Sequence, residues 1–238
     1  MRTCPDGSAR GVAEVGPGFL EQRLVEISDL VRHGLREALS ALELGDFEIA
    51  QRVIEADDEV DRLCLSLDRD AEILLVGKVV PARDISLVLA STRIARNLER
   101  MADQCVTIAK LVQAGGSDEA GADGVRSTLE EMGRRGERML EAATEALMRR
   151  DAERAQQLDQ LDNLVDALNR SVVEQVLAIG GDHAQREWGL RMVLAARALE
   201  RIADNAVDIA EQASYVVTGE LREFSDASHP DEHPGEAA

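Results

Sequence analysis

"RNLERMADQCVTIA", residues 96–109, returns about a hundred positions later as "RALERIADNAVDIA", residues 197–210. Arg, Leu, Glu-Arg, Ala-Asp, Val and Ile-Ala keep register in both copies, and each copy holds a Glu and an Asp four residues apart. At about 100° per residue, Leu98, Ala102, Cys105 and Ala109 fall on one stripe, as do Leu199, Ala203, Ala206 and Ala210. Both segments read as amphipathic helices that bury the stripe, with Glu99 and Asp103, or Glu200 and Asp204, on one face beside it. The echo reaches further: "DFEIAQRVIEADDEVDRL" from Asp46 aligns without gaps onto "DAERAQQLDQLDNLVDAL" from Asp151. Asp46, Glu48, Ala50, Gln51, Asp57, Val60, Asp61 and Leu63 have identical counterparts. A repeat of about 100 residues is a duplicated domain, not a solenoid of short units.

Glycine and proline punctuate the rest. A first helical period runs from about Phe19 to Leu44 and stops at Gly45, and a second runs from Asp46 to about Val76 and stops at Gly77. Pro81 opens a third, with Asp84 in its first turn complementing the positive end of the helix dipole. "AGGSDEAGADG", residues 114–124, is the expected linker. The order then repeats, with helices expected from about Val125 to Arg150, from Asp151 to Ile179 before Gly180 and Gly181, and from about His183 to Gly219. The expected fold is all-α, two tandem three-helix bundles over 17–116 and 117–222. A loose arm precedes them at 1–16, and an aperiodic, disordered tail follows at 223–238.

Of 238 residues, 45% are hydrophobic but only 2% aromatic, so the core is expected to be Leu, Val, Ile, Ala and Met, a palette suited to helices. The net charge of −19 argues against a nucleic-acid partner, which needs a basic footprint, and favours metal cations or basic protein patches. No stretch approaches the ~18 consecutive apolar residues of a spanning helix, and the N-terminus lacks a signal peptide's apolar region. Cys4, Cys64 and Cys105 are odd in number and show no C-x-x-C spacing, which reads as reduced thiols in a cytoplasmic protein.

The second helix places Asp57, Asp61 and Asp68 along one edge, and the fifth repeats this with Asp162 and Asp166. Like charges at i and i+4 repel, and neighbouring helices that bring such edges together raise the cost. Four carboxylates meeting on a bundle face would take a hard cation such as Mg²⁺, Mn²⁺ or Ca²⁺, or iron in a carboxylate cluster. A solvated acidic face is the ordinary alternative in a chain with 46 acids. The retention of the same acids in both copies favours the metal. Arg96 and Arg197 read as ion-pair partners that orient the adjacent Glu.

Cys64, Cys105, Trp188 and the methionines read as core, and His33 and His183 are isolated. No Ser-His-Asp grouping, phosphate-binding glycine loop or dinucleotide fingerprint is present, so no catalysis is expected. A di-metal carboxylate oxidase would need Glu-x-x-His motifs, and no Glu here is followed three residues later by His. A purely structural scaffold would show the same periodicity but would not need acids matched between halves.

"LERMADQCVTIA" and "LERIADNAVDIAEQASYVVTGE", preceded by "VIEADDEVDRL" and "PARDISLVLA", resemble PhoU, the bacterial regulator of phosphate uptake, over roughly residues 20–222. The resemblance implies two three-helix bundles with metal clusters on E-x-x-x-D and D-x-x-x-D motifs. These fall on Asp57, Asp61, Glu99 and Asp103, and on Asp162, Asp166, Glu200 and Asp204, with Fe, Zn, Mn or Mg as the ion. The family usually has Gly before the motif Asp and His after it. Here the neighbours are Ala102 and Gln104, then Ala203 and Asn205. The role implied is a cytoplasmic, non-catalytic negative regulator of phosphate uptake and phosphate-starvation signalling. Its implied partners are the phosphate ABC transporter's ATPase, a phosphate-sensing histidine kinase and a second copy of itself.

Overall fold

The computed structural model describes residues 16–77, 81–115, 123–179, 181–221 and 223–224, all helical or connecting, with no strand among them. The helices are α1 Pro17–Leu44, α2 Phe47–Gly77, α3 Ala82–Gln113, α4 Asp123–Arg149, α5 Ala152–Gln156, α6 Leu158–Ile179 and α7 His183–Thr218. The expected N-terminal arm and most of the 114–124 linker lie outside the described residues.

Local signals set the ends. Gly45 and Gly219 close α1 and α7 in the left-handed conformation, at φ 63 and 73, where a Cβ would be strained. The Asp46 carboxylate accepts the backbone N–H groups of Glu48 and Ile49, and its repeat partner Asp151 accepts that of Arg154. Asp182 and Gln185 form a reciprocal capping box on α7. One expectation fails locally: the helix foreseen from Asp151 to Ile179 divides into α5 and α6 at Gln157. Gln157 keeps helical dihedrals, φ −70 and ψ −14, so the division is a slip in the hydrogen-bond ladder and not a change of direction.

α1, α2 and α3 pack on one another, and α4 to α7 do the same. The two groups are not separate bodies, because α3 lies along α7 and α1 along α4, and the buried side chains of both form one continuous core. The stripes read from the repeat are buried in full: Leu98, Ala102, Cys105 and Ala109 on α3, and Leu199, Ala203, Ala206 and Ala210 on α7. Small residues flank these stripes, Ala95 on α3 and Ala195, Ala196 and Ala198 on α7, so each central helix can be packed on more than one side. Arg36 donates through Nε to Glu137 at 2.7 Å, and Ser28 and Thr144 are hydrogen-bonded at 2.9 Å, which ties α1 to α4.

Candidate functional site

The first set of expected ligands lies on the α2–α3 face. Asp57 is half-buried, Asp61 and Asp103 are exposed, and Glu99 is half-buried. Burial, then the charges of Asp61 and Asp103, push the Asp57 carboxyl up to about 6, with Lys110 opposing. Asp57 on α2 therefore feels Asp61 on its own helix and Asp103 on α3. Glu99 is drawn aside by Arg96, which donates from Nη1 at 2.7 Å. Glu99 and Asp61 both act on the intervening Cys64, whose thiol is raised to about 12 chiefly by burial. His33, Glu37 and Asp57 line a hollow of about 40 Å³ between α1 and α2 that reaches Cys105 on α3.

In the second set, Asp162 and Asp166 are half-buried on α6, Glu200 is 9% exposed and Asp204 is exposed. Arg197 donates to Glu200 as Arg96 does to Glu99, so the orienting ion pair is kept in both copies. Asp166 has Arg170 at 3.9 Å. Among the described residues, no three His, Cys, Asp or Glu side chains are gathered closely enough to hold a metal ion as they stand. The donor chemistry suits a hard cation, and an arginine holds the Glu of each set. The cysteines are core: Cys105 is 2% exposed, with its thiol raised to about 12 by burial.

Sequence reading missed a polar cleft of about 540 Å³ between α3 and α7, with Arg93, Arg96 and Arg100 on one wall and Asp208 and Gln212 on the other. Arg93 donates to Gln212 Oε1 at 3.2 Å and lies over the Tyr215 ring at 5.8 Å. Desolvation raises the Asp208 carboxyl, with Arg100 pulling it down and Glu223 pushing it up. The backbone N–H of Phe224 donates to Glu211 at 2.7 Å, and the rest of the expected tail, 225–238, lies outside the described residues. Comparing the two copies position by position marks Arg93 and Thr92 as departures from the repeat, since they correspond to Leu194 and Val193, but does not show that α7 crosses them.

The described residues form a duplicated all-α helical bundle with paired acidic edges. The PhoU domain family model matches residues 24–112 and again 129–213, and the chain belongs to the PhoU family. It is 30% identical over 202 residues to the phosphate-specific transport system accessory protein PhoU homolog of a Burkholderia species, covering 83% of this chain and 85% of that one. The Pseudomonas aeruginosa homolog of the same name is 26% identical over 205 residues, covering 84% and 83%. The crystal structure of PhoU from P. aeruginosa superposes with a TM-score of 0.77 at 25% identity, over 85% of this chain and 97% of that one. That of the phosphate transport system regulatory protein PhoU from Streptococcus pneumoniae gives 0.78, also at 25% identity, over 87% and 97%. No helix among the described residues is long and apolar enough to cross a membrane.

Proposed function

We propose that this protein is an accessory of a phosphate transport system and a negative regulator of phosphate uptake and phosphate-starvation signalling. It acts in the cytoplasm without catalysis, coupling the transporter's ATPase to a phosphate-sensing histidine kinase, and it does so as a homodimer. The observation that carries this reading is the double match of the PhoU domain to both halves, in relatives named for phosphate transport. Deleting the gene should raise phosphate-starvation reporters and uptake in phosphate-rich medium, and the intact gene should restore repression. Reporters and uptake at wild-type level in the deletion strain would overturn it.

In the same reading the acidic faces take divalent or ferric ions, with Asp57, Asp61, Glu99 and Asp103 on one and Asp162, Asp166, Glu200 and Asp204 on the other. Support comes from Asp57: its carboxyl is raised first by burial and then by the charges of Asp61 and Asp103, and a cation placed among these acids relieves the repulsive part. Loading requires Arg96 and Arg197 to release Glu99 and Glu200. Metal analysis of protein purified from supplemented medium, with melting temperatures before and after chelation, tests the faces. No bound ion and an unmoved midpoint would make them solvated surface.

A further inference from the structure

The α3–α7 cleft is lined by side chains that the repeat does not fully reproduce at the equivalent positions. α3 and α7 run antiparallel, since Arg93 meets Gln212 and Tyr215 while Arg100 faces Asp208. Shifting by the 101 positions that relate the copies puts Val193, Leu194 and Ala198 where the cleft has Thr92, Arg93 and Asn97. Thr107 and Leu111 likewise stand for Asp208 and Gln212. Arg197 and Arg201 repeat Arg96 and Arg100, so what sets the cleft apart is Arg93, Asn97 and Gln212, whose counterparts Leu194, Ala198 and Leu111 are apolar. The fold itself therefore does not require the polar side chains.

Arg93, Arg96, Asn97 and Arg100 follow an i, i+3, i+4, i+7 pattern, which places them along one stripe of α3 spanning about 10 Å. Arg96 is held by Glu99. Among the described residues, no carboxylate comes within ion-pair distance of Arg93 or Arg100. Arg93 rests on a neutral amide and an aromatic ring, and Arg100 draws on Asp208 across the cleft without closing onto it. Two guanidiniums left without a close counterion in a chain of net charge −19 stand out against the acidic surface. The Asp68 and Asp208 carboxylates in the cleft oppose an anion, but burial favours the neutral form of Asp208. Guanidinium forks match phosphate oxygens bidentately, and the amides of Asn97 and Gln212 can donate beside them, while the Thr92 hydroxyl donates to the Leu89 carbonyl at 2.9 Å.

We propose that the α3–α7 cleft binds a phosphate group through Arg93 and Arg100, with the side-chain amides of Asn97 and Gln212 as further donors. The group reaches the cleft as free inorganic phosphate or as the phosphomonoester of a small molecule. This site is separate from the acidic faces and holds or fails independently of metal binding and of the regulatory role.

The test is isothermal titration of the full chain with inorganic phosphate and, separately, with AMP, in phosphate-free buffer containing chelator so that no acid-bound cation recruits the anion. Saturable binding of phosphate identifies the free ion, and binding of AMP alone identifies a phosphomonoester. Thr92→Val with Arg93→Leu and Asn97→Ala installs the residues that the other copy carries in the same fold, and affinity should drop about tenfold or more. Arg100→Gln is the second variant, with the same expected loss. Arg201→Gln, at the equivalent position of the other copy, should leave affinity unchanged. No saturable heat with either ligand up to about 10 mM, well into the weak range, overturns the proposal. Undiminished binding by both cleft variants overturns it too.

Discussion

Replacing Asp57 by Asn should make the protein more stable at neutral pH, even though it removes a charge from a chain that keeps its fold in water. In the folded state the Asp57 carboxyl is raised from 3.8 to about 6, first by burial and then by Asp61 and Asp103. A raised acid holds its proton more tightly folded than unfolded. Its adverse effect is therefore absent below about pH 4, grows between about 4 and 6, and is complete above. At about 1.4 kcal/mol per tenfold, the ceiling is about 3 kcal/mol. Asp57 is only half-buried, so solvent and salt at its open side reduce this to about 1–2 kcal/mol. Urea unfolding in chelator should give Asp57→Asn that advantage near pH 8 and none near pH 4. Added Mn²⁺ should stabilise the wild type more than the variant, because the cation performs the same neutralisation. A variant no more stable than the wild type at high pH, or one equally favoured at every pH, would refute repulsion among these acids.

Because the core is continuous, Leu98→Ala and Leu199→Ala should each lower stability by about 2–5 kcal/mol, and calorimetry should show both shifting a single transition instead of one of two. Arg197→Ala should cost about 1–3 kcal/mol in urea unfolding and more than Arg96→Ala, since it strips the partner from a Glu200 side chain that is 11% exposed, against 30% for Glu99. Iodoacetamide at about pH 8 should leave Cys64 and Cys105 unmodified in the native protein and alkylate both in urea, as mass-spectrometric mapping would show, because burial holds both thiols near 12.

Much of the fold was legible because helix periodicity is a local property. The stripe through Leu98, Ala102, Cys105 and Ala109 needs only spacing to be read, and its second copy corroborates it. Gly45, Gly219, Asp46 and Asp182 mark helix ends through chemistry that acts within four residues. The division at Gln157 carries no such mark, since neither proline nor glycine stands there. The seam between α3 and α7 was hidden for a different reason: alanines that permit close approach look the same whether they meet their own bundle or the other. Of the acids, spacing gave the pairs Asp57 with Asp61 and Glu99 with Asp103, each on one helix face, which depends on backbone geometry alone, whereas their meeting across α2 and α3 does not follow from spacing. It also gave the Arg96–Glu99 and Arg197–Glu200 pairs, because i,i+3 partners are neighbours on any helix. The cleft of Arg93 and Arg100 depends on which helices cross and at what height, information that a single helix does not contain.

α7 has 36 residues, which at 1.5 Å each makes a rod of about 54 Å. It touches α3, α4, α5 and α6, while α3 reaches α1 and α2 on its other side. In mechanical terms the molecule is a pair of antiparallel struts joined along a buried seam that the polar cleft interrupts, with the remaining helices attached as outriggers. Such a joint has little room to slide, since side chains as short as alanine offer few alternative rotamers to repack. A push on an outer helix of one half is then delivered to the far half as displacement of a stiff beam, with no loop in the load path to absorb it.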